Sequence, residues 1–353
     1  MILVVNVISK YLGSHSREWL FYFLLVAGLG GCGGAIEPVK LAGDTMGTTW
    51  HVTYIAAPDG PAQNQLRDGI QGQLDAVNSS MSTYQPDSEI SRFSALQTNT
   101  WFKVSPEFFQ VLTTALDIGA KSEGAYDVTV APLVNLWGFG PTKTQDEPPG
   151  QDTIEEVKRH LGQGNIRVDR DRLSIMKVSD LSLDFSSLAK GYAVDRVAQW
   201  LLEQGVQRFV VEVGGEMRLA GLSGRGDPWH IAIERPDASG RAVAATMEVT
   251  NVAIATSGDY RNYFEANGHH YSHIIDPRTG YPVAHDLVSV TVVNASCMVA
   301  DAWATALTVL GPERAMAVAQ AQGLAVYFIR KAGDEFVHSH TPAFSPYLPQ
   351  TQP

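Results

Sequence analysis

Asp301 and Thr305 lie one helical turn apart in the run Asp301-Ala302-Trp303-Ala304-Thr305. On a helix, such positions share a face. A carboxylate and a hydroxyl there offer two hard oxygens to one point, a donor set that suits Mg²⁺. The neighbours Ala300, Ala302, Ala304 and Ala306 are small, so backbone or ligand can come close. The same residues also fit an Asp favoured by the dipole of a helix start and a Thr facing a neighbour. A second segment runs Asp184-Phe185-Ser186-Ser187-Leu188-Ala189-Lys190-Gly191. Amides at a helix start together with a cation suit a phosphate. A plain Ser cap with a solvated Lys has the same pattern.

Two turns carry further polar groups. One is Thr256-Ser257-Gly258-Asp259-Tyr260-Arg261; the other is Asp276-Pro277-Arg278-Thr279-Gly280, with His273 shortly before it. His273 there can serve as a general base, or as a structural His. Gly214-Gly215, after an apolar strand, lets another backbone approach. Tyr84 and Tyr126 can stack on an aromatic ring or fill a core with one polar tip.

Hydropathy periods outline the elements that must position these groups. Leu66, Ile70, Leu74, Val77 and Met81 recur at helical spacing, and Ser105-Pro106-Glu107 opens a second helix. Thr153 with Glu156 reads as a capping box opening a short helix. Residues 141–151 read as an exposed loop. Leu181 to Phe185 reads as a strand, Leu188 to Gln204 as a helix and Val299 to Leu310 as another. Strands are expected at 50–56, 209–213, 217–222, 230–234, 245–249, 252–256, 271–275 and 287–293. A helix ending at Gln322 and a last strand at 325–330 follow. Strands grouped in the middle with helices beside them predict an α+β fold. No internal repeat is found.

The 353-residue chain has 44% hydrophobic and 18% charged residues and a net charge of −11. That charge opposes nucleic-acid binding, which needs a basic surface. Two Cys, Cys32 and Cys297, exclude a disulfide framework. Near the start, Lys10, His15 and Arg17 precede the apolar run Trp19 to Leu29, which leads into Gly30-Gly31-Cys32. The run has the length of a signal-peptide core and is short for a membrane span. We read residues 1–31 as a signal peptide with a lipobox, 32–40 as a lipidated Cys32 and tether, 41–345 as one domain and 346–353 as a tail. An uncleaved anchor with an incidental Cys is the other reading. Both put the domain outside the cytoplasm. The G-x-G-x-x-G match at Gly28, Gly30 and Gly33 lies in this segment and follows no strand, so it carries no dinucleotide site.

Taken in order, Met46-Gly47-Thr48-Thr49, Met81 to Phe93, Tyr126-Asp127-Val128-Thr129, Leu136 to Gly140, Asp184 to Asp195, Gly214-Gly215-Glu216, Thr256 to Arg261, His273 to Pro282 and Ala300 to Ala306 resemble the ApbE family of FAD:protein FMN transferases. The resemblance spans the expected mature chain. It implies a single T-fold-like α+β domain, with central antiparallel sheets flanked by helices. By the same resemblance Met46, Tyr84, Ala125, Tyr126, Asp127, Asp184, Lys190 and Ile275 match positions that hold FAD. Ser187, Asp301 and Thr305 match a Mg²⁺ or Mn²⁺ site, with position 187 serving through its carbonyl. Many relatives have Gly or Ala around 186 and 187, so Ser is a departure there. The implied reaction moves FMN from FAD to a Ser or Thr hydroxyl and releases AMP, with His273 as base and Asp276 or Asp301 as alternatives. Implied acceptors are extracytoplasmic flavoprotein subunits, as in sodium-pumping quinone reductase or Rnf-type complexes. The implied location is the bacterial envelope, lipid-anchored through Cys32 and facing the periplasm, at the inner membrane by family. Rival readings are an FAD pyrophosphatase, a non-catalytic FAD-binding lipoprotein and a thiamine-pathway role, which the export signal opposes.

Overall fold

The computed structural model describes residues 36–141, 147–236, 242–258, 263–266 and 268–349. The expected signal segment, Cys32, and Asp259 to Arg261 lie outside the described residues. The chain begins with β1 (Val39–Thr45) and β2 (Thr48–Tyr54), joined by a turn in which Met46 and Gly47 both have positive φ, 50° and 69°. A two-residue turn of that handedness matches the twist of the strands it joins. Next come α1 (Gln63–Met81), α2 (Glu89–Ser94), β3 (Phe102–Lys103), α3 (Pro106–Lys121), α4 (Ala131–Leu136), α5 (Gln151–Lys158), β4 (Ile166–Asp169), β5 (Ser174–Lys177) and α6 (Ala189–Glu203). The strand-rich part holds β6 (Phe209–Val213), β7 (Glu216–Ala220), β8 (Trp229–Glu234), β9 (Val243–Val249), β10 (Ala253–Gly258), β11 (Tyr263–Ala266), β12 (His269–Ser272) and β13 (Leu287–Asn294). The chain ends with α7 (Cys297–Leu310), α8 (Pro312–Ala321), β14 (Ala325–Ala332), β15 (Glu335–His340) and a 3₁₀ segment, Pro342–Tyr347.

Eight strands form one antiparallel sheet in the order β1-β2-β6-β7-β10-β13-β14-β15. Both of its faces are covered along the central strands β7, β10, β13 and β14, and the period-2 alternation of side chains assigns each residue to one of them. Ala253 and Ala255 of β10, Val290 and Val292 of β13, and Val326 and Phe328 of β14 join the larger core with α1, α3, α6 and α7. Ile254, Val293, Ala325, Tyr327 and Ile329 point the other way, into a smaller core with the β8–β9 hairpin and Phe344. The helix α7 is buried almost all round. Small side chains on β10 leave it room to lie on the sheet.

The expected α+β class with antiparallel sheets and flanking helices is what the chain adopts. Several element expectations are corrected. Leu181 to Phe185 forms no ladder: Asp184 N–H donates to the Val128 carbonyl at 2.8 Å, and the Asp184 carboxylate takes the Ser186 amide at 2.7 Å. These side-chain and loop bonds replace strand pairing. The helix expected to open at Thr153 starts at Gln151, after Gly150, so Thr153 and Glu156 lie inside it. The strand at 325–330 is followed by β15. β1 begins at Val39, and Phe344 in the final 3₁₀ segment is fully buried.

Candidate active site

The starts of α6 and α7 touch backbone to backbone. A Cβ added to Gly191 would lie 2.4 Å from the Cys297 carbonyl oxygen, so only glycine permits this approach. The contact lets the Gly191 amide donate to Asp301 Oδ2 at 3.0 Å. The first turn of α7 is secured from α6 as well. Asp195 Oδ2 accepts from Ser296 Oγ at 2.7 Å and from the Met298 amide at 3.1 Å. Its Oδ1 accepts from Arg218 at 2.8 Å. Capping an orphan amide with a carboxylate stabilises the helix start.

Two turns close over this junction. Gly214 and Gly215, at φ 60° and 109°, join β6 to β7 and bring Glu216 in. A Cβ on Gly214 would sit 3.0 Å from Thr48 Cγ2, beside the β1–β2 turn, and 3.2 Å from Lys190 Cδ. Lys190 Nζ lies 2.8 Å from Glu216 Oε1 and 3.8 Å from Asp301 Oδ2. Asp301 and Glu216 are buried, 5% and 4% exposed. The cluster therefore holds two carboxylates and one ammonium.

Its electrostatics follow from burial. Loss of water pushes the Asp301 carboxyl up to about 7, with the Glu216 charge adding to the rise; Lys190 and the Gly191 amide oppose it. Burial raises Glu216 too, against the pull of Lys190. Burial alone would lower Lys190, but the charges of Asp301 and Glu216 overcome this and hold it above the usual lysine value. Burial also raises Tyr126, whose hydroxyl accepts from Ser187 Oγ at 2.9 Å and senses the charges of Asp301, Asp184 and Asp127. Asp127 is raised by burial while its Oδ1 accepts from the Thr129 amide and hydroxyl at 2.8 and 2.7 Å.

The residues singled out in the sequence fall into two groups. Asp301, Lys190, Ser187, Tyr126, Asp127 and Asp184 gather around the α6–α7 junction. Thr305 follows one turn along α7, half-buried, and Met46 sits in the β1–β2 turn, packed against the main core. A second group forms an aromatic wall. His273 lies edge-on to Phe139 at 6.3 Å, and Phe139 packs on Phe264 at 5.6 Å. Phe264 stacks on Tyr271 at 5.0 Å, and Tyr271 lies 5.4 Å from Trp137. Ile275 shares a small core with Leu133, Trp137 and Ile154, and Ala125 packs with Ile274 and Val309. Ala125 thus links the wall to the charged cluster. Tyr84 is joined to neither group: the residue is 70% exposed, and among the described residues no ring contact or side-chain hydrogen bond ties it to them.

Among the described residues no three His, Cys, Asp or Glu side chains converge as a metal set. A cation here would be held by mixed hard oxygens, the Asp301 carboxylate with hydroxyl and carbonyl groups such as those of Thr305 and Ser187. The residues fit such an ion. The cluster carries an excess negative charge, and Glu216 Oε2 is buried without a hydrogen-bond donor among the described residues. Sequence reasoning missed the place of Glu216 and the holding role of Asp195. A carboxylate directly after a Gly-Gly turn was the one signal for Glu216. Asp195 gave none, because a helical Asp reads as solvated.

The ApbE family profile matches residues 46–328. The FAD:protein FMN transferase of Vibrio cholerae is 44% identical over 332 residues, 94% of this chain and 99% of the relative. The protein of the same name from Escherichia coli K12 is 42% identical over 317 residues, 89% of this chain and 90% of the relative. A solved structure of the flavin transferase ApbE from Vibrio cholerae superposes with a TM-score of 0.83 at 43% identity, covering 88% of this chain and 99% of that one.

Proposed function

The chain belongs to the ApbE family, and on that footing we propose that it moves FMN from FAD to a Ser or Thr hydroxyl of a partner protein, with AMP released and a divalent cation required. The observation that carries the reading is the buried, net-negative cluster at the α6–α7 junction. Burial pushes the Asp301 carboxyl there up to about 7, with the Glu216 charge adding to the rise against the pull of Lys190. A divalent ion would be held by Asp301, Thr305 and the Ser187 carbonyl. When bound, it supplies positive charge against the negative charge that builds on the departing AMP.

The chain's own residues do the rest. Met46, Tyr84, Ala125, Tyr126, Asp127, Asp184, Lys190 and Ile275 hold FAD. The acceptor oxygen attacks the FMN-side phosphorus, and the bridging P–O bond breaks with its electrons leaving on AMP. His273 Nδ1 or Nε2 takes the acceptor proton. A cation held at Asp301 would keep that carboxylate ionised, so that it would serve as ligand rather than base. The aromatic wall beside His273 offers ring faces to a flavin or to an acceptor segment.

The setting of this reaction is extracytoplasmic. Cleavage and lipidation at Cys32 would anchor the domain at the envelope facing the periplasm. The acceptors would be exported flavoprotein subunits, of the sodium-pumping quinone reductase or Rnf type. The purified full chain, incubated with FAD, Mg²⁺ and a protein bearing an acceptor Thr, tests the reading. An acceptor mass gain of one FMN, with AMP released and both lost in EDTA, is expected. Free FMN and AMP beside an unmodified acceptor would instead indicate a pyrophosphatase. Bound, intact FAD would indicate a binding protein.

A further inference from the structure

Glu216 takes no part in the transfer chemistry above, yet it is the nearest partner of Lys190. It enters at the start of β7, and its Oε1 lies 2.8 Å from Nζ. Its Oε2 is buried and meets no donor among the described residues. The charge of this carboxylate therefore acts mainly on one ammonium. That ammonium stands closer to Glu216 than to Asp301 Oδ2, which is 3.8 Å away. The lysine stem is guided by the β6–β7 turn: a Cβ at Gly214 would lie 3.2 Å from Lys190 Cδ.

From this geometry we infer that Glu216 is a positioning residue, holding the Lys190 ammonium off Asp301 so that the Asp301 carboxylate stays open to a divalent cation. The inference rests on Asp301 being a cation ligand, as proposed above. An ammonium and a metal ion compete for one carboxylate and repel each other strongly where water is scarce. Glu216 neutralises the ammonium and draws it aside. Without that charge, Asp301 is the carboxylate left to pair with Lys190 among the described residues, and the ammonium closes on the metal's own ligand.

The test uses the full chain in detergent with Mn²⁺ alone, free Mn²⁺ being read by its electron paramagnetic resonance signal. Wild type binds the ion, and Asp301→Asn loses it. Glu216→Gln, close in shape but uncharged, raises the Mn²⁺ Kd by roughly tenfold or more. Adding Lys190→Met to Glu216→Gln returns the Kd to within about threefold of wild type, because the competitor is gone. A fold damaged by the first change would not be repaired by the second. Wild-type affinity in Glu216→Gln overturns the inference while leaving Asp301 as ligand intact. A double variant as weak as Glu216→Gln overturns it as well. Equal binding by wild type and Asp301→Asn removes the ligand reading of Asp301, and this inference with it.

Discussion

Asp301, Lys190 and Glu216 sit on core elements whose backbones touch, whereas His273 and its ring neighbours hang beside β11 and β12, a separate two-stranded sheet. In the first region the Gly191 amide at a helix start holds Asp301, Glu216 after a strand turn holds Lys190, and Asp301 and Glu216 are almost wholly buried. In the second, Tyr263 is 44% and Tyr281 39% exposed, and ring contacts build the wall, with the Trp137 indole N–H donating to the Gly280 carbonyl at 2.9 Å. Buried charge needs rigid surroundings, because each unpaired group costs its full desolvation. Rings stack on flat partners through broad, shallow minima, and an exposed hairpin tolerates adjustment. The charged region is thus suited to a step with fixed geometry, and the aromatic region to partners of varied shape.

The comparison can be broken at several points. The largest expected effect is on His273: His273→Ala should lower kcat/KM for transfer about 10²- to 10⁴-fold, with stability little changed. An undiminished rate would move the proton-accepting role out of the aromatic region. Gly191→Ala comes next and attacks the charged region through packing. Ala normally gains about 1 kcal/mol over Gly inside a helix. Here its Cβ would meet the Cys297 carbonyl at 2.4 Å, so a net loss of about 1–3 kcal/mol in urea unfolding is expected. A stabilised variant would mean that α6 and α7 can part without cost.

A pH series sharpens the same contrast. In EDTA the folded Asp301 carboxyl titrates at about 7, against an ordinary value of 3.8. Between those values the folded state binds more protons than the unfolded one, so stability falls as pH rises from about 4 to about 7. Asp301→Asn should flatten that fall, and added Mg²⁺ should counter it in the wild type. Urea midpoints across that window read the effect, and parallel curves for wild type and Asp301→Asn would refute it. The smallest effect is expected at the hairpin. Tyr263→Ala should change stability by less than about 0.5 kcal/mol, while raising KM for the acceptor protein more than for FAD. An equal rise in both would argue that the wall serves the flavin alone.

Much of the scaffold was legible in the chain itself. The helical spacing from Leu66 to Met81 became α1, and Ser105-Pro106 opens α3 with Ser105 Oγ accepting the Phe108 amide. The apolar run from Leu287 became β13, a strand buried on both faces. Local patterns report such elements because burial and capping depend on near neighbours in sequence. The errors came where distant contacts decide. Leu181 to Phe185 is apolar enough for a strand, yet its neighbour offers a loop carbonyl at Val128 instead of a ladder. The short strands β3, β4 and β5 have too few residues to show a period.

Of the site, the residue types and their order along the chain were readable: a carboxylate and hydroxyl on one face of α7, a lysine in the first turn of α6, and a histidine before a tight turn. Those depend only on local periodicity and on the resemblance of motifs. What the sequence could not state is that Glu216 rather than solvent holds Lys190, or that the Gly191 amide points at Asp301. Nor could it state that Tyr84 stays apart while Tyr126 lies buried against Ser187. These follow from the close approach of α6 and α7 and the return of the β6–β7 turn, which bring residues 190, 216 and 301 together. Burial then sets their charges, and burial belongs to the folded whole.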